Sequence, residues 1–163
     1  MASGVRSLAP DRIEKALGAL ALVMLAAVSV AVLRGSADWS KLPPVVWLHL
    51  ATICLPLALT PVLMWSPRGN RRHRALGYVW VASMAATAID SFWIRSGDGS
   101  LGPIHILSAL TLILLVVLLA AARRHKVSRH RTAARGIVIG ALLIAGFFTF
   151  PFNRLLGRWL LGG

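Results

Sequence analysis

The sequence predicts an all-α integral membrane protein with five transmembrane helices, its N-terminus cytoplasmic. Three observations carry this. Of 163 residues, 57% are hydrophobic, more apolar surface than a soluble domain of this length can bury. The apolar runs are long and rich in Leu, Ala and Val, without the alternation of barrel strands, so helices must satisfy the backbone in lipid. The net charge of +13 comes from basic residues clustered between the apolar runs. That is the pattern of the positive-inside rule rather than of a nucleic-acid surface, and nucleic acid is excluded as a partner.

The elements follow in order as one transmembrane domain. Span one covers 16–33, too long for the apolar core of a signal peptide. Arg34 to Lys41 and then Pro43-Pro44 separate it from span two, 45–65. Ser66-Pro67-Arg68-Gly69-Asn70 turns the chain into span three, 75–94. Ser96 to Ser100 forms a flexible loop before span four, 103–122, and the basic stretch Arg123 to Arg135 leads into span five, 133–151. The N-terminus, the second loop and the fourth loop hold thirteen of the 18 Lys and Arg residues; Arg34, Lys41, Arg95, Arg154 and Arg158 lie on the other side. Those thirteen face the cytoplasm, where anionic lipid is an expected partner. Trp39, Trp47, Trp93 and Trp159 fall at the opposite interface as an aromatic belt. Residues 153–161 read as a short amphipathic helix lying on the outer surface.

Spans two–three and four–five have the same orientation and read as a parallel repeat forming a four-helix bundle, with span one added. Each hairpin carries the same mark. His49 and His105 sit just inside its first span, and His73 and His130 follow 24 and 25 residues later, about one crossing plus a loop at ~1.5 Å per residue. Gly136 and Gly140 make a GxxxG pattern, and Ala82, Ser83, Ala85, Ala86 and Ala88 line span three, positions that permit close helix approach.

The histidines and Asp90 fall into two layers. His49, His105 and Asp90 share an outer layer, with Asp90 one turn from Arg95; His73 and His130 share an inner one, flanked by Arg74 and Arg131. Intramembrane ionisable groups are functional candidates by default. Paired histidines can ligate a haem iron, with Arg74 and Arg131 placed for its propionates. His49, His105 and Asp90 can instead hold a transition metal, and an Asp beside a His can relay protons. Bland alternatives stand beside these: interfacial histidines anchor helices, and Asp90 pairs with Arg95. His125 reads as a solvated loop residue. Cys54, the single cysteine, has no internal partner, and there is no phosphate-binding Gly loop, CxxC, HExxH or Ser-His-Asp set.

At HRALGYVWV (73–81), GPIHILSALTL (102–112), RHRTAARG (129–136) and AGFFTFPFNRLLGRWL (145–160), the chain resembles a bacterial family of membrane proteins of unknown function, DUF2306. That resemblance implies a multi-pass protein of the bacterial inner membrane and supplies no activity. Where the family pattern runs Pro-Gly-Arg after FTF, this chain has Pro151-Phe152-Asn153-Arg154. By span order alone the chain also resembles the cytochrome b561 family, which implies haem b between His49 and His105 and between His73 and His130. The functional expectations are therefore membrane electron transfer with haem b, with quinone as partner; a non-catalytic accessory subunit packed against a larger membrane complex; or a metal-handling or carrier protein.

Overall fold

The computed structural model describes residues 9–94 and 102–162, so Arg95 and the loop 96–100 lie outside the described residues. Among these residues the chain is helical, with no strand. Helix α1 spans Arg12–Arg34, α2 Pro44–Trp65, α3 Arg71–Asp90 and α4 Pro103–Arg123. Helix α5 is Val127–Ile137; it widens into π-helical turns over Val138–Ile144 and ends in α6, Ala145–Phe147. Helix α7 is Leu155–Leu161. Tight 3₁₀ turns over Ser36–Lys41 and Ser91–Trp93 close α1 and α3.

Among the described residues, four helical segments are long and apolar enough to cross a membrane: Arg12–Arg34, Pro44–Trp65, Arg71–Trp93 and Ile104–Arg123. The expected fifth span, 133–151, is built from α5, the π-helical turns and α6 rather than from one regular helix. The π turns press against α1, α2 and α4, and Val138 and Leu142 are buried there. Such wide turns trade regular backbone pairing for a fit to neighbouring helices.

Local chemistry sets the helix starts. Asp11 accepts the Glu14 backbone N–H at 3.0 Å, and Glu14 accepts that of Asp11 at 3.1 Å, a reciprocal cap that opens α1. Asn70 caps α3 by accepting the His73 N–H at 2.7 Å. Pro44 occupies the first turn of α2, where its missing N–H costs nothing.

Contacts between helices fix an up-and-down bundle. The Trp65 indole donates to the Lys15 carbonyl at 3.0 Å, joining the end of α2 to the start of α1. Pairs His49–Asp90 and Thr60–Trp80 run in antiparallel order along α2 and α3. Ser91 meets Ser108 between α3 and α4, and His130 lies against the Leu118 carbonyl between α5 and α4. One end of the bundle therefore gathers the starts of α1, α3 and α5 with most of the arginines (the basic end). The far end gathers His49, Asp90 and His105. Between them lies an apolar core that includes Ala21, Leu57, Met84, Leu115, Ile137 and Leu142.

Two expectations about packing are corrected. A Cβ added at Gly136 would meet nothing within 4 Å, and at Gly140 only Leu107 at 3.9 Å, so the GxxxG pattern marks no close helix contact. The 153–161 segment is helical as expected, but its apolar side is turned onto protein. Leu156 and Trp159 are buried with Val28 and Ala31 of α1, and the Trp159 indole donates to Asp38 at 3.2 Å. Gly157 lets this helix close on the preceding turn: a Cβ there would stand 1.7 Å from the Phe150 carbonyl oxygen. Replacing Gly157 with Ala is expected to displace α7 at a cost of about 1–3 kcal/mol. Trypsin cleavage after Arg154 and Arg158 in detergent should accelerate; an unchanged rate would show that α7 is not held by this contact.

Candidate functional site

At the far end, the Asp90 carboxylate is buried, 6% exposed, in the last turn of α3. Two groups from α2 reach it. His49 Nδ1 lies 2.6 Å from Oδ1, and the Thr52 hydroxyl donates to Oδ2 at 2.7 Å. His49 and Thr52 are three residues apart, so one face of α2 presents both. A buried carboxylate without such partners would carry a large desolvation cost. The expected partner Arg95 lies outside the described residues, and His49 takes that role here. The imidazole is partly exposed, its side chain at 29%, while the Asp90 side chain is at 7%. The dyad thus runs from the surface of the bundle to its interior.

His105 is differently employed. The Gly102 backbone N–H donates to its Nδ1 at 2.9 Å, capping the start of α4. The same Nδ1 lies 3.1 Å from the Gly102 carbonyl oxygen, so the ring can bind its own helix start in either tautomer. The ring's Nε2 is buried and has no hydrogen-bond partner among the described residues. The ring packs against Phe92, centroids 5.7 Å apart.

At the basic end the dominant group is Glu14, 1% exposed. It accepts from Arg131 and Arg135 at 3.0 Å each and pairs with Arg68. Asp11 adds a bond from Arg131 at 2.7 Å and another from Arg135. Arg68 also donates to the Ala9 carbonyl at 3.0 Å. This clasp ties the start of α1 to the α2–α3 turn and to α5. Beside it the rings of His73 and His130 meet edge to face, centroids 6.4 Å apart. His130 Nδ1 points at the Leu118 carbonyl, 3.4 Å away, while His73 Nδ1 is buried with no partner among the described residues.

A third feature joins the two layers. Ser83, Thr87 and Ser91 recur at every fourth residue of α3; His105, Ser108 and Thr111 recur at every third residue of α4, and all six are buried. Ser91 Oγ and Ser108 Oγ are 2.7 Å apart, which sets the register, and one turn deeper Thr87 falls at the level of Thr111. Below them the Trp80 indole donates to the Thr60 hydroxyl at 2.9 Å. Buried hydroxyls in such number are costly unless bonded, and Ser83, Thr87, Ser108 and Thr111 each bond a carbonyl four residues back.

The structure joins His49 to Asp90 at the far end and packs His73 against His130 at the basic end, while His105 engages the start of its own helix. A haem between two histidines needs a lone pair on each facing ring and a slot for a flat macrocycle. His105 Nδ1 is engaged with the backbone of Gly102. The His73 and His130 rings stand within the ~4.5–7 Å of directly packed aromatics, which leaves no such slot. Arg131, expected on a propionate, is bonded to Asp11 and Glu14, and Arg74 is exposed. Haem b therefore finds no support in this arrangement. Nor does any group of three or more His, Cys, Asp or Glu among the described residues have an arrangement that could hold a metal ion, so His49, Asp90 and His105 form no such set.

The sequence reading missed Asp11, Glu14, Arg68 and Arg135 as a unit. The three-residue spacing of Asp11 and Glu14, a capping-box signature, was the available signal. It also missed the hydroxyl seam, legible only as Ser and Thr recurring at three or four residues. In comparisons with known proteins, the chain matches no family model, no curated protein and no solved structure.

Replacing Glu14 with Gln leaves three arginines around a neutral amide, and the unfolding free energy in detergent should fall by about 3–5 kcal/mol. A loss near zero would mean that the clasp does not hold α1. Asp11 gives a pH signature. The Glu14 backbone N–H, then Arg135 and Arg131, hold its carboxyl below the ordinary 3.8. A depressed folded value stabilises above the unfolded one and is lost as pH falls through the folded one. The melting-temperature gap between wild type and Asp11→Asn should therefore be full at neutral pH and close below 3.8; a gap that widens on acidification would contradict this.

Proposed function

We propose that this chain is a small multi-pass protein of the bacterial inner membrane whose functional site is the His49–Asp90 pair, a dyad that takes up and releases a proton at the outer face. One observation carries the reading: a buried carboxylate, bonded to a partly exposed imidazole at 2.6 Å, connects the bundle interior to its surface. An imidazole bonded through Nδ1 to a carboxylate can exchange a proton at Nε2 while the carboxylate stabilises the added charge. The reading includes five crossings, the fifth through Val127–Phe147, with the N-terminus and the basic end in the cytoplasm against anionic lipid. The concentration of arginine at one end supports that orientation. The parallel repeat is part of the same reading, supported by the antiparallel pairing of α2 with α3 and of α4 with α5.

The haem and quinone expectation has no comparable geometry behind it. The accessory-subunit expectation is the competitor, since a dyad can also serve purely to hold α2 against α3. Infrared difference spectra separate the two. Protein in lipid nanodiscs, taken between neutral and acidic pH, should show a carboxyl and imidazole protonation signal that disappears in both Asp90→Asn and His49→Gln. A signal unchanged in both variants would remove the proton reading and leave the packing role.

A further inference from the structure

We infer that the dyad holds a second proton at Asp90 Oδ2, and that the Thr52 hydroxyl is the positioning group that admits it by reversing its own hydrogen bond. This rests on the proton reading of the dyad and adds to it a capacity for two protons and a third residue.

The inference starts from one hydroxyl with two acceptors. Thr52 Oγ1 lies 2.7 Å from Asp90 Oδ2 and 3.0 Å from the His49 carbonyl oxygen. A hydroxyl has a single proton to give and two lone pairs with which to accept. Threonine in a helix readily bonds a carbonyl three or four residues back, so the His49 carbonyl is a normal acceptor for it. Asp90 is a different kind of neighbour, because a carboxyl oxygen accepts when ionised and donates when protonated. While Asp90 is charged, the Thr52 proton goes to Oδ2, which is the stronger acceptor and the shorter contact.

The other carboxyl oxygen decides where a further proton can sit. Oδ1 faces His49 Nδ1 at 2.6 Å. Once a proton from the outer side has bound Nε2, both ring nitrogens of the imidazolium are donors, and Oδ1 must accept. A second proton therefore binds Oδ2. The new Oδ2–H donates to Thr52 Oγ1, and the Thr52 proton turns to the His49 carbonyl. Without that reversal two donors would meet between Asp90 and Thr52, and a buried O–H would go unbonded at a cost. Both protons come from water and return to it. No bond between heavy atoms changes, and no co-reactant is needed.

The same two helices hold the reversed arrangement about two turns further along. Thr60 of α2 accepts from the Trp80 indole of α3 at 2.9 Å and donates to the Pro56 carbonyl at 2.6 Å. An indole N–H can only donate, so Thr60 is locked in this state. Thr52 has the same pair of options and faces a group that can change from acceptor to donor.

The surroundings leave this response to Thr52. Among the described residues, His49 and Thr52 are the side chains bonded to Asp90. On α4, His105 turns Nδ1 to Gly102. In the turn after α1, Asp38 is bonded to Lys41 and Trp159. Cys54 of α2 packs with Val28 and Ala31 of α1. Arg34, Arg154 and Arg158 are the remaining charged groups at this end, and the π-helical turns against α2 carry none.

The experiment is infrared difference spectroscopy between neutral and acidic pH on the full chain in lipid nanodiscs, with histidine labelled by carbon-13 at its carbonyl. The labelled band lost in His49→Gln identifies His49. In the wild type, a protonated-carboxyl band that is absent from Asp90→Asn should appear on acidification. With it the His49 carbonyl band should shift to lower frequency, as that oxygen gains the Thr52 proton. Thr52→Ser should retain both changes. Thr52→Val removes the hydroxyl and should lose the carbonyl shift. A purely structural Thr52 would leave the His49 carbonyl the same at both pH values. A wild-type carboxyl band without the carbonyl shift would overturn the inference, as would a full carbonyl shift in Thr52→Val. If the imidazole protonates and the Asp90 carboxyl band never appears, the second proton fails and the dyad reading stands. If neither group responds, both fail.

Discussion

The fold depends on one constraint: a carboxylate buried inside the bundle must find its partners within the protein. The two carboxylates buried deepest, Asp90 and Glu14, sit at opposite ends of the bundle, and each is surrounded by donors from other helices. Asp90 binds α3 to α2. Glu14 binds α1 to the α2–α3 turn and to α5. The helices between these ends meet mainly through apolar side chains, which in lipid discriminate poorly between one register and another. The polar ends supply that discrimination, and the apolar middle fills around them.

The histidines show how far residue type falls short of role. Four of them occupy two layers, as their spacing requires, yet no two have the same employment. His49 turns Nδ1 to a carboxylate, the arrangement that leaves its other nitrogen free for chemistry. His105 turns Nδ1 to its own helix start. His130 faces a carbonyl and His73 faces His130. Spacing placed the rings at matched depths; the choice of nitrogen, and with it the chemistry, was set by single neighbouring groups.

That distinction also measures what was legible in advance. Long apolar runs, basic loops and the breaks at Pro43-Pro44 and Ser66–Asn70 located the four long helices closely, because hydropathy and turn chemistry are local properties. The clasp was not legible, because it joins Glu14 to arginines 54 and 117–121 residues away. Positive charge read as topology was also serving as a counter-charge for Asp11 and Glu14. The GxxxG pattern misled for the opposite reason: small residues permit close approach without requiring it. The docking of α7 escaped because an amphipathic segment looks the same whether protein or lipid covers its apolar side.

The central claim is that an imidazole and a carboxylate meet inside the bundle at its far end. Solid-state NMR on the labelled protein in bilayers tests this directly, through dipolar coupling between His49 Nδ1 and the Asp90 carboxyl carbon. The account predicts a strong coupling, as a 2.6 Å nitrogen–oxygen contact requires. Absence of that coupling, with both side chains otherwise well ordered, would contradict it.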